Sequence, residues 1–497
     1  MLDAFMRGFE LASTWQNLGF AFVGCLLGTL IGVLPGVGPL ATVSMLLSMT
    51  IYLDPLSSLV MLAGIFYGAQ YGGSTTAILC NLPGEASAVV TVLDGHQMAR
   101  KGRAGSALAI AALASLFAGI CATLVIAFFA PVLSTFALRF NAPEYFLLMM
   151  LGLFAAVVFS NGALSKALAM TFLGLLLGSV GSDVETGAAR FTFGYPELSE
   201  GIGIVALSMG LFGLSEIIMN ISRAESRDVI KSRIGRLWPS TEEARRAAPA
   251  AARGTAIGSA LGILPGGGVV LSTFAAYILE KKISKNAEEF GTGAVEGLAA
   301  PEAANNAAAQ TSFIPLLTLG IPTTPTLALL LGAMIMQGIQ PGPQVMTARP
   351  ELFWGLIASM LIGNLMLVVI NLPLIGLWVQ LLRVPYRILF PVILTFCCIG
   401  AYSMEFSVVD LISLSVFAGG GVLLAALGFP PVPLLLGFIL GPLAEENLRR
   451  AMSISGGDAT VFFTRPGSAA MIALIVLIAL VVALPRFRQN REVFEEG

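Results

Sequence analysis

The sequence predicts an all-α, polytopic membrane protein built from two inverted-topology repeats, each with a re-entrant Pro-Gly hairpin and a broken helix. Three observations carry this prediction. First, the 497 residues are 56% hydrophobic and only 11% charged, with mean hydropathy +0.87, against roughly 25% charged in an ordinary soluble domain. Second, GTLIGVLPGVG (Gly28 to Gly38) and GSALGILPGGG (Gly258 to Gly268) are near copies about 230 residues apart. Third, basic and acidic loops alternate so that the two copies enter the membrane from opposite sides.

In chain order, residues 1–17 carry Asp3, Arg7 and Glu10 in an amphipathic pattern, which reads as an interfacial helix rather than a cleavable signal peptide. Residues 18–221 form the first transmembrane repeat, opening with a hairpin over roughly Leu18 to Leu53. A helix does not run straight through Leu-Pro-Gly-x-Gly, because proline lacks an amide donor and glycine loses much backbone freedom when held helical. In lipid such a break is tolerated only against protein or a wet cavity, and matched breaks in two halves of a membrane chain point to a transporter binding site. HQMARKGR (His96 to Arg103) is a basic loop assigned to the cytoplasm, with His96 solvated beside Asp94. Spans follow over Ser106 to Phe129, Tyr145 to Phe159, Ala167 to Val180 and Ile202 to Met219, with the acidic stretch Ser182 to Glu200 outside.

Residues 222–253, where Lys and Arg outnumber acids eight to four, read as a cytoplasmic linker. Residues 254–485 form the second repeat, whose hairpin covers Thr255 to Ile278 and has both ends inside. Gly428 to Arg465 leaves room for an additional half-crossing, and residues 486–497 form a C-terminal tail. Ten to twelve crossings or hairpins are expected in all. The five cysteines (Cys25, Cys80, Cys121, Cys397, Cys398) lie in apolar stretches without metal-ligand spacing and read as packing. Arg139, Arg383 and Arg387 sit at segment ends, where long basic side chains snorkel to headgroups.

Each hairpin is followed by an interrupted segment rich in small polar residues, Tyr67 to Ser87 and Ala300 to Thr326. Hairpin tip and broken helix together offer an anion and cation site made largely of backbone. The tips Gly36, Val37, Gly38, Gly266, Gly267 and Gly268 present amides to carboxylates at the positive ends of half-helices, and Ser74, Thr75, Asn305, Asn306 and Thr323 complete a polar substrate shell. Freed carbonyls and side-chain oxygens at Thr76, Asn81, Pro83, Gly84, Gly320 and Pro322, with Glu302, supply hard ligands suited to sodium. Glu302 has two readings: an intramembrane carboxylate handling a coupling ion, or a cap on the first turn of a helix beginning near Pro301. Taken singly, each Gly-x-x-x-Gly spacing reads as helix packing. No cofactor is expected beyond sodium or a proton as coupling ion, no nucleic acid partner is expected, and zinc-helix, nucleophile-elbow and P-loop patterns are absent from the sequence.

The motifs GVLPGVGP, YGGSTTAILCNLPGE, DGHQMARKGRAGSAL, GILPGGG, PEAANNAAAQTSFIPLLTLGIP and GFILGPLAEENLRRA, spread over nearly the whole chain, resemble the large membrane subunit of the tripartite tricarboxylate transporters, TctA. The resemblance implies a multi-pass protein of the bacterial inner membrane that works with a small membrane subunit (TctB-like) and a periplasmic solute-binding protein (TctC-like). It also implies cation-driven uptake of citrate or related carboxylates by an elevator-type movement. A stand-alone carboxylate symporter and a channel or scaffold subunit remain the alternatives.

Overall fold

The computed structural model describes residues 2–34, 38–160, 163–183, 186–222, 236–265, 267–382, 391, 394–395, 397–402 and 407–483. The expected tip residues Gly36, Val37 and Gly266, part of the linker and the C-terminal tail lie outside the described residues. The chain is a helical membrane protein; the described strands are β1 (Gly181–Ser182) and β2 (Ala189–Arg190), an antiparallel ribbon within the acidic stretch. Among the described residues four helices are long and apolar enough to cross a bilayer, Trp15–Val33, Ala99–Ala137, Pro350–Asn371 and Val408–Ala426, and six shorter apolar helices accompany them.

The first half opens with α1 (Leu2–Ala12), which lies along α17 (Pro350–Asn371) with Phe5 edge-on to Trp354 at 6.0 Å. Thr14 caps α2 (Trp15–Val33), which stops at Leu34, one residue before Pro35. After the break, α3 (Pro39–Thr50) restarts with proline in its first turn, where a missing amide costs nothing. Asp54 caps α4 (Pro55–Cys80), which runs to Asn81 in the left-handed conformation (φ 58°). The second half repeats the order. A Ser240/Glu243 capping box starts α11 (Thr241–Leu261), α12 (Gly268–Ile283) restarts after the Pro-Gly break, and α13 (Val295–Thr311) with α14 (Phe313–Leu319) ends on Gly320 (φ 72°). Glycine takes that angle without the Cβ clash that other residues meet.

The packing also comes in pairs. Gly24, Gly28 and Gly32 of α2 lie so close to α4 that a Cβ on any of them would strike the backbone at Met61, Ile65 or Ala69. Gly254, Gly258 and Gly262 of α11 stand in the same relation to Ala300, Ala304 and Ala308 of α13. These glycines therefore have the packing role. The halves then exchange partners. α6 (Ala104–Ala137), from the first half, packs on α11 and α13, while α17, from the second, packs on α2 and α4. α12 packs on the segment after the first break, Ala86–Ala88 and α5 (Val89–Thr91), and α3 packs on α15 (Pro325–Met336), the segment after the second.

Three expectations need correction, and one open stretch gains a structure. Thr241 to Arg253, read as linker, is the first half of α11, because the capping box nucleates a helix before the polar residues end. HQMARKGR is not a solvated loop: the chain stays helical from Val92 until a kink at Gly102 (φ 79°), Asp94 and Met98 are buried, and His96 Nδ1 lies 3.0 Å from the Ile78 carbonyl. Gly428 to Arg465, left open by the sequence, is mostly one helix, Pro431–Ile454, with Pro442 inside it, which neither requires nor excludes a half-crossing. Finally, Glu302 caps nothing, because α13 begins at Val295 and Pro301 lies within it.

Candidate functional site

The two broken helices meet deep in the molecule. Every residue of α13 is buried, as are nearly all of α4, and they touch where Ser74 Oγ donates to Glu302 Oε2 at 2.6 Å. Glu302 is fully buried, and its other oxygen accepts from Thr91 of α5 through a short hydrogen bond. Asn306 Nδ2 donates to Ser115 Oγ of α6 at 2.7 Å, which directs the Ser115 hydroxyl proton toward Glu302, 3.5 Å away. The contacts recorded for Glu302 are neutral hydroxyls from three other segments.

Beside the carboxylate is a small cavity lined by Tyr71, Ser74, Thr75, Ser115, Glu302 and Asn371, with an apolar wall from α6. The space for a water-sized sphere is about 10 Å³, which is about one water or one small ion. A tricarboxylate does not fit there. Polar atoms around this region lack hydrogen-bond partners among the described residues: Tyr71 Oη, Asn371 Oδ1 and Asn306 Oδ1. An unmet buried polar group costs roughly 1–3 kcal/mol, so several of them beside one small cavity mark a candidate site.

A second carboxylate lies nearby. Glu85, just past the first break, accepts from Gln70 Nε2 at 3.1 Å and from Ser87 Oγ at 2.7 Å, and Asn305 faces it.

Of the residues expected from sequence, Ser74, Thr75 and Glu302 share the cavity, Asn306 is bonded into its rim, and Asn305 adjoins it. The others are placed elsewhere. Thr76 Oγ1 donates at 2.8 Å to the Val33 carbonyl, tying α4 to the end of α2. Gly84 is pressed against Gly32 and Gly73. Asn81 and Pro83 are exposed, Pro322 is buried, and Thr323 Oγ1 donates to the Ser312 carbonyl at 3.4 Å. Gly38 begins α3 facing Glu216, Gly267 rests against Phe159, and Gly268 packs on the Leu261 carbonyl. Gly320 supplies the turn described above. Sequence reasoning missed Tyr71, Thr91, Ser115, Asn371 and Glu85. Tyr71 and Glu85 stand inside a motif already singled out; the other three come from separate helices and had no local signal.

One end of the molecule gathers the basic segments. Arg103 pairs with Glu243, Arg246 with Glu296 at 2.7 Å, Arg253 with Glu280, and Lys101 Nζ donates to the Thr292 carbonyl. Asp94, fully buried, accepts from the amides of Gly291, Gly293 and Ala294 at 2.7 to 2.9 Å and from Tyr277 Oη at 3.0 Å. A first-half carboxylate therefore anchors the loop that leads into the helix carrying Glu302. Elsewhere, Arg190 forms a two-pronged pair with Glu445 at 2.9 Å, and Arg449 joins Asp183 and Glu445. Among the described residues no group of three or more His, Cys, Asp or Glu is arranged to hold a metal ion.

Residues 18–436 match the family model described as the tripartite tricarboxylate transporter TctA family. The chain is 57% identical over 485 residues to an uncharacterized 52.8 kDa protein in the TAR-I ttuC′ 3′ region of Agrobacterium vitis, covering 98% of this chain and 97% of that one. It is also 59% identical over 235 residues to an uncharacterized protein in the TAR-II ttuC′ 3′ region of the same organism, covering 47% of this chain and 97% of the relative. No solved structure matches. A match over most of the length, spanning both hairpins and both broken helices, makes this chain a member of the tripartite tricarboxylate transporter TctA family.

Proposed function

We propose that the protein is the large membrane subunit of a binding-protein-dependent system that takes up tricarboxylates or related carboxylates across the bacterial inner membrane, driven by a cation gradient, with sodium as the coupling ion. A TctC-like periplasmic protein delivers the substrate and a TctB-like subunit completes the membrane unit. The two halves act as inverted repeats, and the hairpins with α4 and α13–α14 move as one transport block. Amides at the tips around Gly36, Val37, Gly38, Gly266, Gly267 and Gly268 receive the carboxylates. Ser74, Thr75, Asn305 and Asn306 provide a polar region beside Glu302, whose carboxylate supplies the negative charge for the coupling cation.

The observation that carries this reading is the meeting of α4 and α13 around unpartnered buried polar groups, in a family of transporters. The exchange of partners between halves supports a repeat related by two-fold symmetry, since each hairpin arm rests on the segment beyond the other half's break. The opposed loop charges support inversion.

Gly38→Val tests the tips. A Cβ at Gly38 meets only Glu216, at 3.8 Å, whereas one at Gly268 collides with backbone, so only the first variant separates function from folding. In proteoliposomes holding all three proteins, Gly38→Val should abolish sodium-driven uptake at normal protein yield. Wild-type uptake in that variant removes the first tip from the mechanism. Strong uptake by the large subunit alone would favour the stand-alone symporter.

A further inference from the structure

We infer that the cavity between α4, α6, α13 and the end of α17 is a monovalent cation site, coordinated by Glu302, Tyr71 Oη and Asn371 Oδ1 with the hydroxyls of Thr75 and Ser115. This deepens the transport reading and rests on it for the ion's role as coupling ion. It places that ion, expected from the sequence at the breaks around Asn81 and Pro83, in a small pocket one helix turn or more away along α4.

Three independent features of the site converge. The first is charge. Glu302 is fully buried, its hydrogen-bond partners are the hydroxyls of Ser74, Thr91 and Ser115, and no Lys, Arg or His pairs with it among the described residues. Hydroxyl dipoles stabilise a carboxylate but do not neutralise it, and an uncompensated buried charge is among the most costly groups a protein can hold. The second is the orientation of unused oxygens. Asn371 spends its amide hydrogens on Thr29 Oγ1 at 3.2 Å and the Leu367 carbonyl at 2.9 Å, leaving Oδ1 as a pure acceptor without a donor. Tyr71 Oη likewise has no partner and lines the same cavity. A proton on Glu302 would neutralise the carboxylate but leave lone pairs on Asn371 and Tyr71 unmet. A cation among them satisfies all three groups at once.

The third feature is size and ligand type. The space is that of about one water or ion, and every polar lining atom is oxygen except the Asn371 amide nitrogen already used. Oxygen ligands select hard cations, and a single carboxylate balances one positive charge. Divalent ions, which favour several carboxylates or carbonyls, are disfavoured by the same count. The ligands also come from both halves: Tyr71 and Thr75 from α4, Ser115 from α6, Glu302 from α13 and Asn371 from α17. Asn371 is additionally bonded to α2 through Thr29. Occupancy therefore ties the first hairpin's inner arm to both broken helices, which couples ion binding to the arrangement of the transport block.

The test uses the purified full-length chain in detergent, titrated with sodium chloride against thermal unfolding, with potassium and choline chloride as ionic controls. Sodium should raise the unfolding temperature of the wild type where choline does not. Glu302→Gln should abolish the response, and Tyr71→Phe, which removes one oxygen and leaves the ring packing intact, should weaken the apparent sodium affinity about tenfold, the loss of roughly 1.4 kcal/mol. A wild-type sodium response retained in both variants overturns the site. So does a wild type stabilised by low pH in choline and indifferent to sodium, which would make the ligand a proton. If Glu302→Gln fails to fold, Tyr71→Phe alone decides. Carboxylate uptake by the three-protein system separates the two readings: a sodium response that needs Glu302 without any uptake defeats the transport reading alone, whereas sodium-driven uptake with unchanged sodium dependence in Tyr71→Phe and no Glu302-dependent stabilisation defeats the ion site alone.

Discussion

Single carboxylates in this protein take their roles from their partners. Glu302 meets only hydroxyls, Asp94 meets three amides, and Glu243 meets a guanidinium. Glu243 lies in the first, polar turn of α11, where burial pushes its acid constant up but the Ser240 amide, Arg103 and Ser106 outweigh it and hold the group at about 2. An unpaired glutamate titrates near 4.3. Because the folded value lies below the unfolded one, the interaction contributes its full stability above about pH 5 and loses it as pH falls through that range toward 2. Arg103→Gln should therefore lower stability at pH 7 by at most about 1 kcal/mol, since Arg103 is partly solvent-screened. The gap between the variant and the wild type should be smaller at pH 3 than at pH 7, with the rest lost toward pH 2, which thermal unfolding in detergent at pH 7 and pH 3 measures. A deficit equal at both values would show that the pair is not the cause.

The helices are set by capping and breaks, and their pairing is set by glycine. Thr14, Asp54 and Ser240 start helices, and Pro35, Asn81 and Gly320 mark their ends; the proline and glycine breaks were legible from sequence, whereas the Ser240 start was read as linker. The close pairs α2 with α4 and α11 with α13 depend on positions where a Cβ would meet backbone carbonyls. Gly258→Leu should thus reduce monodisperse yield severely, at a cost of about 3 kcal/mol or more given rigid backbone on the facing side. Gly19→Ala, where nothing lies within 4 Å, should leave yield and unfolding temperature unchanged. Size-exclusion profiles of the two variants check this, and equal profiles would remove the glycine pairing argument. The same spacing repeats in both hairpins, and there the reading of Gly-x-x-x-Gly as helix packing holds.

The fold as a unit is held by exchange between halves and by a basic end. Arg103, Lys101, Arg246 and Arg253 bring segments 99–106, 240–253 and 280–296 together, which agrees with placing all three on one side of the membrane. Cysteines replacing the exposed Lys101 and Lys282, in a background without native cysteines, should resist an impermeant thiol reagent in intact cells. A cysteine replacing exposed Glu197, in the acidic segment, should react at once. Equal labelling at Lys101 and Glu197 would refute the assigned topology.

Hydropathy, proline and glycine placement and the duplicated motif were enough to establish a helical membrane protein with two paired breaks and a resemblance that pointed to its family, because these features act through local backbone physics and solvent. The assembled site was not legible in the same way. Thr91, Ser115 and Asn371 are ordinary polar residues in apolar helices, and nothing within a few positions of them distinguishes them from packing residues. They gain meaning only where α5, α6 and the end of α17 close around Glu302. Likewise Asp94, which sequence placed next to a solvated loop, becomes an anchor between the halves because the second half supplies three loop amides beside it. Long-range packing decides which buried polar atoms satisfy one another and which are left for a ligand, and that choice is made by helices far apart in the chain.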